Sequence, residues 1–451
     1  MDGSDYLSEV RSQYEDYPYP QRNPEDEKSR LITTKLDSLA EINHFGYQGK
    51  ADFRGFRVLV AGGGTGDATI YLAEQLRAFG GEVVYLDISE ASMSIARARA
   101  QLRALDNITW IHASLLDLPQ LDPGLFDYIN CTGVLHHLED PDKGLAALRE
   151  VLKPSGLIGL LLYGKIGRTA IYQVQELMRL INGNGRNIEK NISRTKEVLA
   201  QLPQTNWFKK SENLITDHKE FGDIGIYDLF LHSRDRAYTV REIYDLVENN
   251  NLSFTDYLFG IRRNYQPQTW LQQGELLDTI TSLPQPEQES IAELIAGDIH
   301  MHLFYCSIEP KPHADFFNEE NIPYFMLDRS GTNRVTGSML VEAARNSEDG
   351  KIMLPLPYGG QVAFRPNPTL QVITGLVDGE RTVGQIADAA CGRLRLSNHD
   401  RAELLKTTGH LCENFHSIGL MLLRHHTVPA FKYGLELHND TVGKRFGQTV
   451  T

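Results

Sequence analysis

Three glycines and one aspartate are the residues of this chain whose spacing points most directly to chemistry. The segment Val58-Leu-Val-Ala-Gly-Gly-Gly-Thr-Gly-Asp-Ala-Thr69 joins an apolar run to a turn containing Gly62, Gly64 and Gly66, after which Asp67 opens a helical pattern. Glycine permits positive φ and lets a ligand lie against bare main chain. The N-terminus of a helix offers unpaired N–H groups and a positive dipole end to an anionic group. Asp87 closes a second strand-like run, Val83-Val-Tyr-Leu-Asp87, twenty-one residues beyond Gly66. A carboxylate at about that distance, some 20 residues on, accepts both hydroxyls of a ribose. Together these residues describe a nucleoside cofactor site at the edge of a parallel sheet. The glycine spacing is G-x-G-x-G and not the dinucleotide pattern G-x-G-x-x-G.

Further along, side chains able to move a proton or steer a nucleophile follow two more strand-like runs. His136 and His137 come after Phe126-Asp-Tyr-Ile-Asn-Cys-Thr-Gly-Val-Leu, and Tyr163, Lys165 and Arg168 come after Leu157-Ile-Gly-Leu-Leu-Leu. The elements that must position them are a strand over 126–132, a helix over Lys143 to Leu152, the turn Lys153-Pro-Ser-Gly156 and a strand over Leu157–Tyr163. His232, Arg234, Asp235 and Arg236 form a dense polar patch that reads most simply as a solvated loop, and Lys165 and Arg168 read as surface contacts. Glu220, Asp223 and Asp228 are acidic contacts for a cationic substrate. His300 and His302 lie two apart on a predicted strand and face one side. Two ligands do not make a zinc site, and no residues show metal-site spacing.

The order of glycine loop, acidic strand end, Phe-Asp-Tyr-Ile strand, Leu-His-His-Leu138, Lys-Pro-x-Gly and apolar strand resembles the class I S-adenosylmethionine-dependent methyltransferases over roughly residues 50 to 165. The resemblance implies an α/β Rossmann-like sheet of seven strands with S-adenosylmethionine as cofactor. It implies that Gly62, Gly64 and Gly66 face the methionine part, that Asp87 binds the ribose hydroxyls and that Ile88 packs on the adenine. Ser114 and Leu115 are expected at the adenine edge, and Asn130 to Gly133, including Thr132, beneath the sulfonium. Two positions depart from the family pattern: Val60 stands where many members carry an acidic residue, and Ser114 where an aspartate often accepts the adenine amino group. Methyl transfer is an in-line displacement served chiefly by alignment in a desolvated pocket. An amine acceptor must be neutral at attack, so a nearby proton acceptor helps. His136 is favoured over His137 for that task, its alternative being a packing role in the loop. Tyr163 is the second catalytic candidate, steering an ammonium group.

Residues 1–50 precede the first strand as an arm. Tyr14, Tyr17 and Tyr19, in Tyr14-Glu-Asp-Tyr-Pro-Tyr-Pro20, are candidates for a lid over the cofactor or for a tail packed on its own domain. The catalytic domain is expected over 51–310. Its sixth strand is expected at Leu252–Phe259, after a helix capped by Thr239 and Glu242, and its seventh at Met301–Ile308. Residues 164–238 and 260–298 are then insertions, the first opening with a helix from Thr169 to Ile181. Insertions at the carboxyl ends of strands surround the ligand crevice. Beyond residue 310, a hairpin around Gly359-Gly360, helices at Leu370–Leu376, Val383–Cys391 and Ala402–Ile418, and apolar Leu420-Met-Leu-Leu423 suit a winged-helix-like α+β accessory module over 311–451. Tyr-Pro-Tyr-Pro20, Leu-Tyr-Gly-Lys165, His-Ser-Arg-Asp-Arg-Ala-Tyr238 and Asp-Gly-Glu-Arg-Thr-Val383 are similar to bacterial protein-lysine methyltransferases, including those acting on outer-membrane proteins. That resemblance implies a protein methyl acceptor. A small biosynthetic amine, acid or phenol is the competing acceptor, and a non-catalytic cofactor-binding scaffold a third possibility.

At 451 residues the chain exceeds one typical domain, and 41% hydrophobic with 23% charged residues suits a globular protein. A net charge of −14 argues against a nucleic-acid binder. Cys131, Cys306, Cys391 and Cys412 are scattered as reduced thiols would be in a cytoplasmic protein. No apolar run approaches the ~20 residues needed to span a bilayer. A homodimer is compatible with the sequence.

Overall fold

The computed structural model describes residues 15, 17–183, 185, 187–232, 234–326, 335–357 and 360–443; Tyr14 and Gly359 lie outside them. Strands β1 (Arg57–Ala61), β2 (Glu82–Asp87), β3 (Ile108–His112), β4 (Phe126–Thr132) and β5 (Leu152–Gly164) run parallel in the order β3-β2-β1-β4-β5. Their apolar runs are continuous because helices cover both faces: Val58, Leu59, Val60 and Ala61 are all fully buried. After β6 (Ala237–Tyr238) and β7 (Ser253–Tyr257), β8 (Met301–Ser307) inserts antiparallel between β5 and β7. The two strands expected at 252–259 and 301–308 are thus β7 and β8. The helix between β6 and β7, Val240–Asn249, starts with the reciprocal Thr239–Glu242 capping box.

The sheet has eight strands and not seven. The additional one, β6, leaves the first insertion and pairs with the end of β5, Ala237 opposite Tyr163. A two-residue strand carries no period-2 signature, so nothing in the sequence announces it. The first insertion is built on the helices Thr169–Asn182 and Ile188–Gln201 and has an apolar cluster of its own, with Ile171, Val174, Met178, Phe208, Leu229 and Phe230.

The helix Leu39–Gly46 is buried along its whole length and packs into the main core, so the stretch before residue 50 ends in a core element, not an arm. In the C-terminal module, β9 (Asn321–Phe325) pairs antiparallel with β12 (Met421–His425), and a hairpin of β10 (Ile352–Pro355) and β11 (Gln361–Phe364) precedes the helices Pro368–Thr374, Val383–Leu394 and Arg401–Ser417. This module has a separate core around Ile373, Ile386, Cys412 and Phe415. It is tied to the sheet domain where Leu423 donates its N–H to His44 Nδ1 at 3.2 Å. Beyond it the chain returns: Leu437 packs with Leu31, Ile70, Tyr71 and Ala100 of the sheet domain. All four cysteines are buried and free. No helix among the described residues is long and apolar enough to cross a membrane.

Candidate active site

The glycine loop after β1 turns tightly enough that side chains have no room. Gly62 and Gly64 have φ of +80° and +51°. A Cβ on Gly62 would lie 2.3 Å from Val134 Cγ2, and one on Gly64 2.9 Å from the Tyr19 carbonyl. Gly64 donates its N–H to Asp87 Oδ2 at 2.7 Å and Ser89 donates to Oδ1 at 2.8 Å. Burial raises the Asp87 carboxyl above its ordinary value against the pull of those N–H groups. Gly66 has a different task. It caps the helix Asp67–Leu76 with φ +100° and abuts Ala96, and it does not line the cavity in front of the loop.

That cavity, of about 440 Å³, lies at the carboxyl ends of β1, β2, β4 and β5. Of the residues singled out in the sequence, Gly62, Gly64, Asp87, Ile88, Ser114, Leu115, Asn130, Thr132, Gly133, Tyr19 and Tyr163 line it. Ser114 also caps the turn that follows through a reciprocal pair with Asp117. Tyr17 is not on the wall; its ring packs 5.7 Å from that of Tyr227 in the first insertion. Tyr19 and Pro20 pass over the glycine loop, held by Thr65 Oγ1 donating to the Pro20 carbonyl at 2.7 Å and by a bidentate Arg22–Asp67 pair. Burial alone would raise Asp67, but Arg22 and Arg99 hold its carboxyl below the ordinary range.

Near Tyr19, whose hydroxyl feels the charges of Asp228 and Asp217, the wall is made by His137, Tyr163, Arg168, Asp217, Asp228 and His300. Here the two histidines exchange the places expected of them. His137 lines the cavity, with Nδ1 3.0 Å from the Arg234 carbonyl and its ring 4.0 Å from that of His232. His136 is fully buried behind the wall, stacked 3.9 Å from the Tyr163 ring. The short helical turn Leu135–His137 rotates successive side chains away from one another, so only one of the pair faces the cavity. Burial lowers the pKa of both rings, so both are neutral imidazoles.

Arg168 is not a surface residue. Its side chain is 3% exposed, its guanidinium carbon sits 3.6 Å from the centre of the Tyr163 ring, and Nη2 is 3.6 Å from Asp235 Oδ2. Of the polar patch expected as a solvated loop, His232 (5% exposed) and the Asp235 side chain (1%) fold inward, whereas Arg234 and Arg236 stay exposed. Of the three acidic candidates, Asp228 is on the wall, Asp223 pairs with Lys196 and Glu220 bonds Thr216. Asp228 lies in a π-helical turn, Tyr227–Leu231, and none of the described residues gives its carboxylate a hydrogen bond or ion pair. Burial, with Asp217 and Asp235 nearby and Arg168 opposing, pushes its pKa up to about 7. His300 reaches the cavity, whereas His302, two residues on, is buried between Tyr265 Oη (2.9 Å) and the Tyr238 carbonyl (2.9 Å).

Residues 59–158 match the family described as a methyltransferase domain. The chain carries a class I S-adenosylmethionine-dependent methyltransferase domain. An uncharacterized protein of Synechococcus sp. is 33% identical over 269 residues, 59% of this chain and 63% of that one. The ubiquinone/menaquinone biosynthesis C-methyltransferase of Idiomarina loihiensis is 34% identical over 124 residues, 27% of this chain and 49% of its own. The chain therefore spans less than two thirds of the length of either relative. Among solved structures, PKMT2 from Rickettsia typhi superposes with a TM-score of 0.62 at 15% identity, covering 88% of this chain and 77% of that one. Its complex with AdoHcy superposes at 0.57, covering 83% and 72%.

S-adenosylmethionine is the cofactor of this methyltransferase domain, and the site fits it. The cradle at Gly62 and Gly64 would be filled by any Cβ, a fixed carboxylate stands at the end of β2, and the volume lies within the range of small-molecule sites. Sequence reasoning missed Thr34, Asp67, Asp217 and Leu214 on the cavity wall. Thr34 and Leu214 come from segments outside the recognisable motif. Asp217 stands near Glu212, Glu220 and Asp223 in the sequence, and nothing there singles it out.

Proposed function

We propose that this protein methylates an amine nitrogen, and that the amine is the side chain of lysine in a protein substrate. The observation that carries this reading is Asp228, a carboxylate buried on the cavity wall with no hydrogen-bond or ion-pair partner among the described residues. Burying such a group unpaired costs free energy, so its retention at a cavity wall points to a cationic or proton-donating ligand. Asp217 adds a second carboxylate at the same end. S-adenosylmethionine, when bound, supplies an electrophilic methyl group on a sulfonium. In this reading Gly62 and Gly64 hold its amino-acid part, Asn130, Thr132 and Gly133 lie beneath the sulfonium, Asp87 holds the ribose hydroxyls, and Ile88, Ser114 and Leu115 the adenine. The Asp228 carboxylate draws in the substrate ammonium and takes one of its protons. The nitrogen lone pair then forms the new C–N bond as the S–C bond breaks, its electron pair staying on sulfur. Tyr163 and His137 border the acceptor, and Tyr19 and Pro20 exclude water from the reacting end. The protein-substrate part is supported by the breadth of the likeness to PKMT2, 88% of this chain, together with the sequence resemblance to bacterial protein-lysine methyltransferases.

Arg168 favours a second reading. A buried guanidinium on the same wall as two carboxylates suits a small acceptor bearing an acid group as well as a nucleophile. The two readings separate in one assay. The protein is incubated with tritium-labelled methyl donor and either unfolded lysine-rich outer-membrane protein or a panel of small amino and phenolic acids. Label in acid-precipitable protein, stable to base and mapped to lysine Nζ, supports the first reading. Label only in the soluble fraction replaces it with the second.

A further inference from the structure

A different cluster, away from the cavity, sits where the C-terminal module meets the sheet domain. In the β9–β12 pair His425 stands opposite Asn321. Just outside that last pair, the N–H of His426 donates to the Glu320 carbonyl at 3.1 Å. The adjoining backbones bring three side chains together. Glu320 Oε2 is 3.2 Å from His425 Nε2, the rings of His425 and His426 are 4.3 Å apart at 42°, and one ligand atom from each residue lies within 4.8 Å of the other two. We infer that Glu320, His425 and His426 form a binding site for a divalent transition-metal cation such as zinc, with water completing the coordination.

The donor set is two imidazoles and a carboxylate, one of the sets that bind zinc with a fourth position left open. In a tetrahedron with metal–ligand bonds of about 2.0–2.1 Å, ligand atoms stand roughly 3.4 Å apart, close to the 3.2 Å between Glu320 and His425. His425 is held from both sides. Its Nδ1 lies 2.7 Å from Thr427 Oγ1 and 3.4 Å from the Thr427 backbone nitrogen; when Nε2 binds a metal, Nδ1 keeps the proton and donates it to Oγ1, the outer hydrogen bond of such a ligand. Its backbone N–H donates to the Gly49 carbonyl at 2.8 Å, in the sheet domain. Glu320 is fixed by its own N–H on Asn318 Oδ1 at 3.0 Å. His425 is buried while Glu320 and His426 are exposed, so the cation has an approach from solvent and room for water. An ordinary Glu–His ion pair would account for Glu320 and His425 but gives no role to His426, which borders the same carboxylate. Lys50 acts electrostatically on Glu320, opposes metal binding and sets a limit on its strength.

The test uses the full-length chain, free of any affinity tag and stripped with chelator, titrated with zinc by calorimetry and with cobalt by visible absorption. We expect one equivalent to bind with a Kd below about 10 μM, cobalt to give the strong bands of a tetrahedral site, and zinc to raise the melting temperature. His426→Ala and Glu320→Gln, both at exposed positions, are each expected to weaken binding by at least roughly tenfold and to abolish the thermal shift. His410→Ala, which removes an exposed His–Glu pair with no third ligand, is expected to change nothing. Failure of zinc to bind saturably up to about 100 μM, or binding unaltered in both Glu320→Gln and His426→Ala, overturns the assignment.

Discussion

Gly64 and Asp87 are joined by a 2.7 Å hydrogen bond from main chain to carboxylate. The bond links the glycine loop after β1 to the end of β2, so the acidic group is aimed by the loop that it faces. Removing the carboxylate in Asp87→Ala takes away a charged acceptor worth about 1.5–3 kcal/mol per hydrogen bond. We expect binding of S-adenosylmethionine and its demethylated product to weaken roughly 10- to 100-fold, read by calorimetric titration. Affinity unchanged from the parent would remove Asp87 from the site.

Asp228→Asn separates catalysis from cofactor binding. Loss of a proton acceptor costs about 100-fold or more in kcat/KM, while the affinity for demethylated cofactor should stay within about twofold of the parent. The parent rate should rise with pH and level off above about 7, where the carboxylate is ionised. Stability follows the opposite sign. Between the ordinary carboxylate value and about 7, the folded chain holds a proton on Asp228 that the unfolded chain has released. The contribution of this group therefore declines as pH climbs through that window. Asp228→Asn should melt several degrees above the parent at alkaline pH, the gap closing toward about pH 4. A variant that melts lower at every pH would mean that the aspartate has a structural partner.

How much of this was legible beforehand depends on sequence separation. The glycine loop and Asp87 belong to one strand–helix–strand unit, so their relative placement follows from local geometry. β7 and β8 were recoverable because apolar runs of ordinary strand length stood after a capped helix. His137 and His136 could not be ordered, since the facing of adjacent residues in a single turn is set by what packs behind it, here the Tyr163 ring. Arg168 looks like any cation after a strand, and it is buried only because the first insertion folds back over it, bringing Asp235 to 3.6 Å. Glu320 and His425 are 105 positions apart, and no spacing rule for metal ligands reaches across that distance.

Arg22 grips Asp67 through two nitrogens, with Nη2 to Oδ2 at 2.7 Å, and so holds the Tyr19–Pro20 segment against the glycine loop. Both side chains are partly exposed, 20% and 16%, so the pair is worth about 1 kcal/mol at most. In Arg22→Ala we expect demethylated cofactor to dissociate roughly fivefold faster, with less change in its association rate, in stopped-flow displacement. Equal rates in parent and variant would show that this segment does not gate the site.

Glu27 is 2% exposed and receives Arg99 Nε at 2.7 Å as well as Arg103 Nε. Arg103 also reaches Glu74 at 3.1 Å. Neutralising the shared carboxylate in Glu27→Gln takes one charge partner from each of two buried guanidinium groups, leaving Arg99 to Asp67 and Arg103 to Glu74, a loss of about 3 kcal/mol. The melting temperature should fall by on the order of 10 °C. A fall of only a degree or two would mean that water enters this network.

Arg103 has one more neighbour, His438, whose Nδ1 lies 3.2 Å from Nη2. The guanidinium that pins Glu27 and Arg30, in the segment that follows Tyr19 and Pro20, is therefore clasped from the far side by a residue that leaves the ribosome 335 positions later. During synthesis this brace can close only after His438 has been made, so the pocket entrance gains it later than the strands of the Rossmann unit are available to pair. A chain cut before His438 would present a looser entrance than one that carries it, with a weaker grip on the methyl donor.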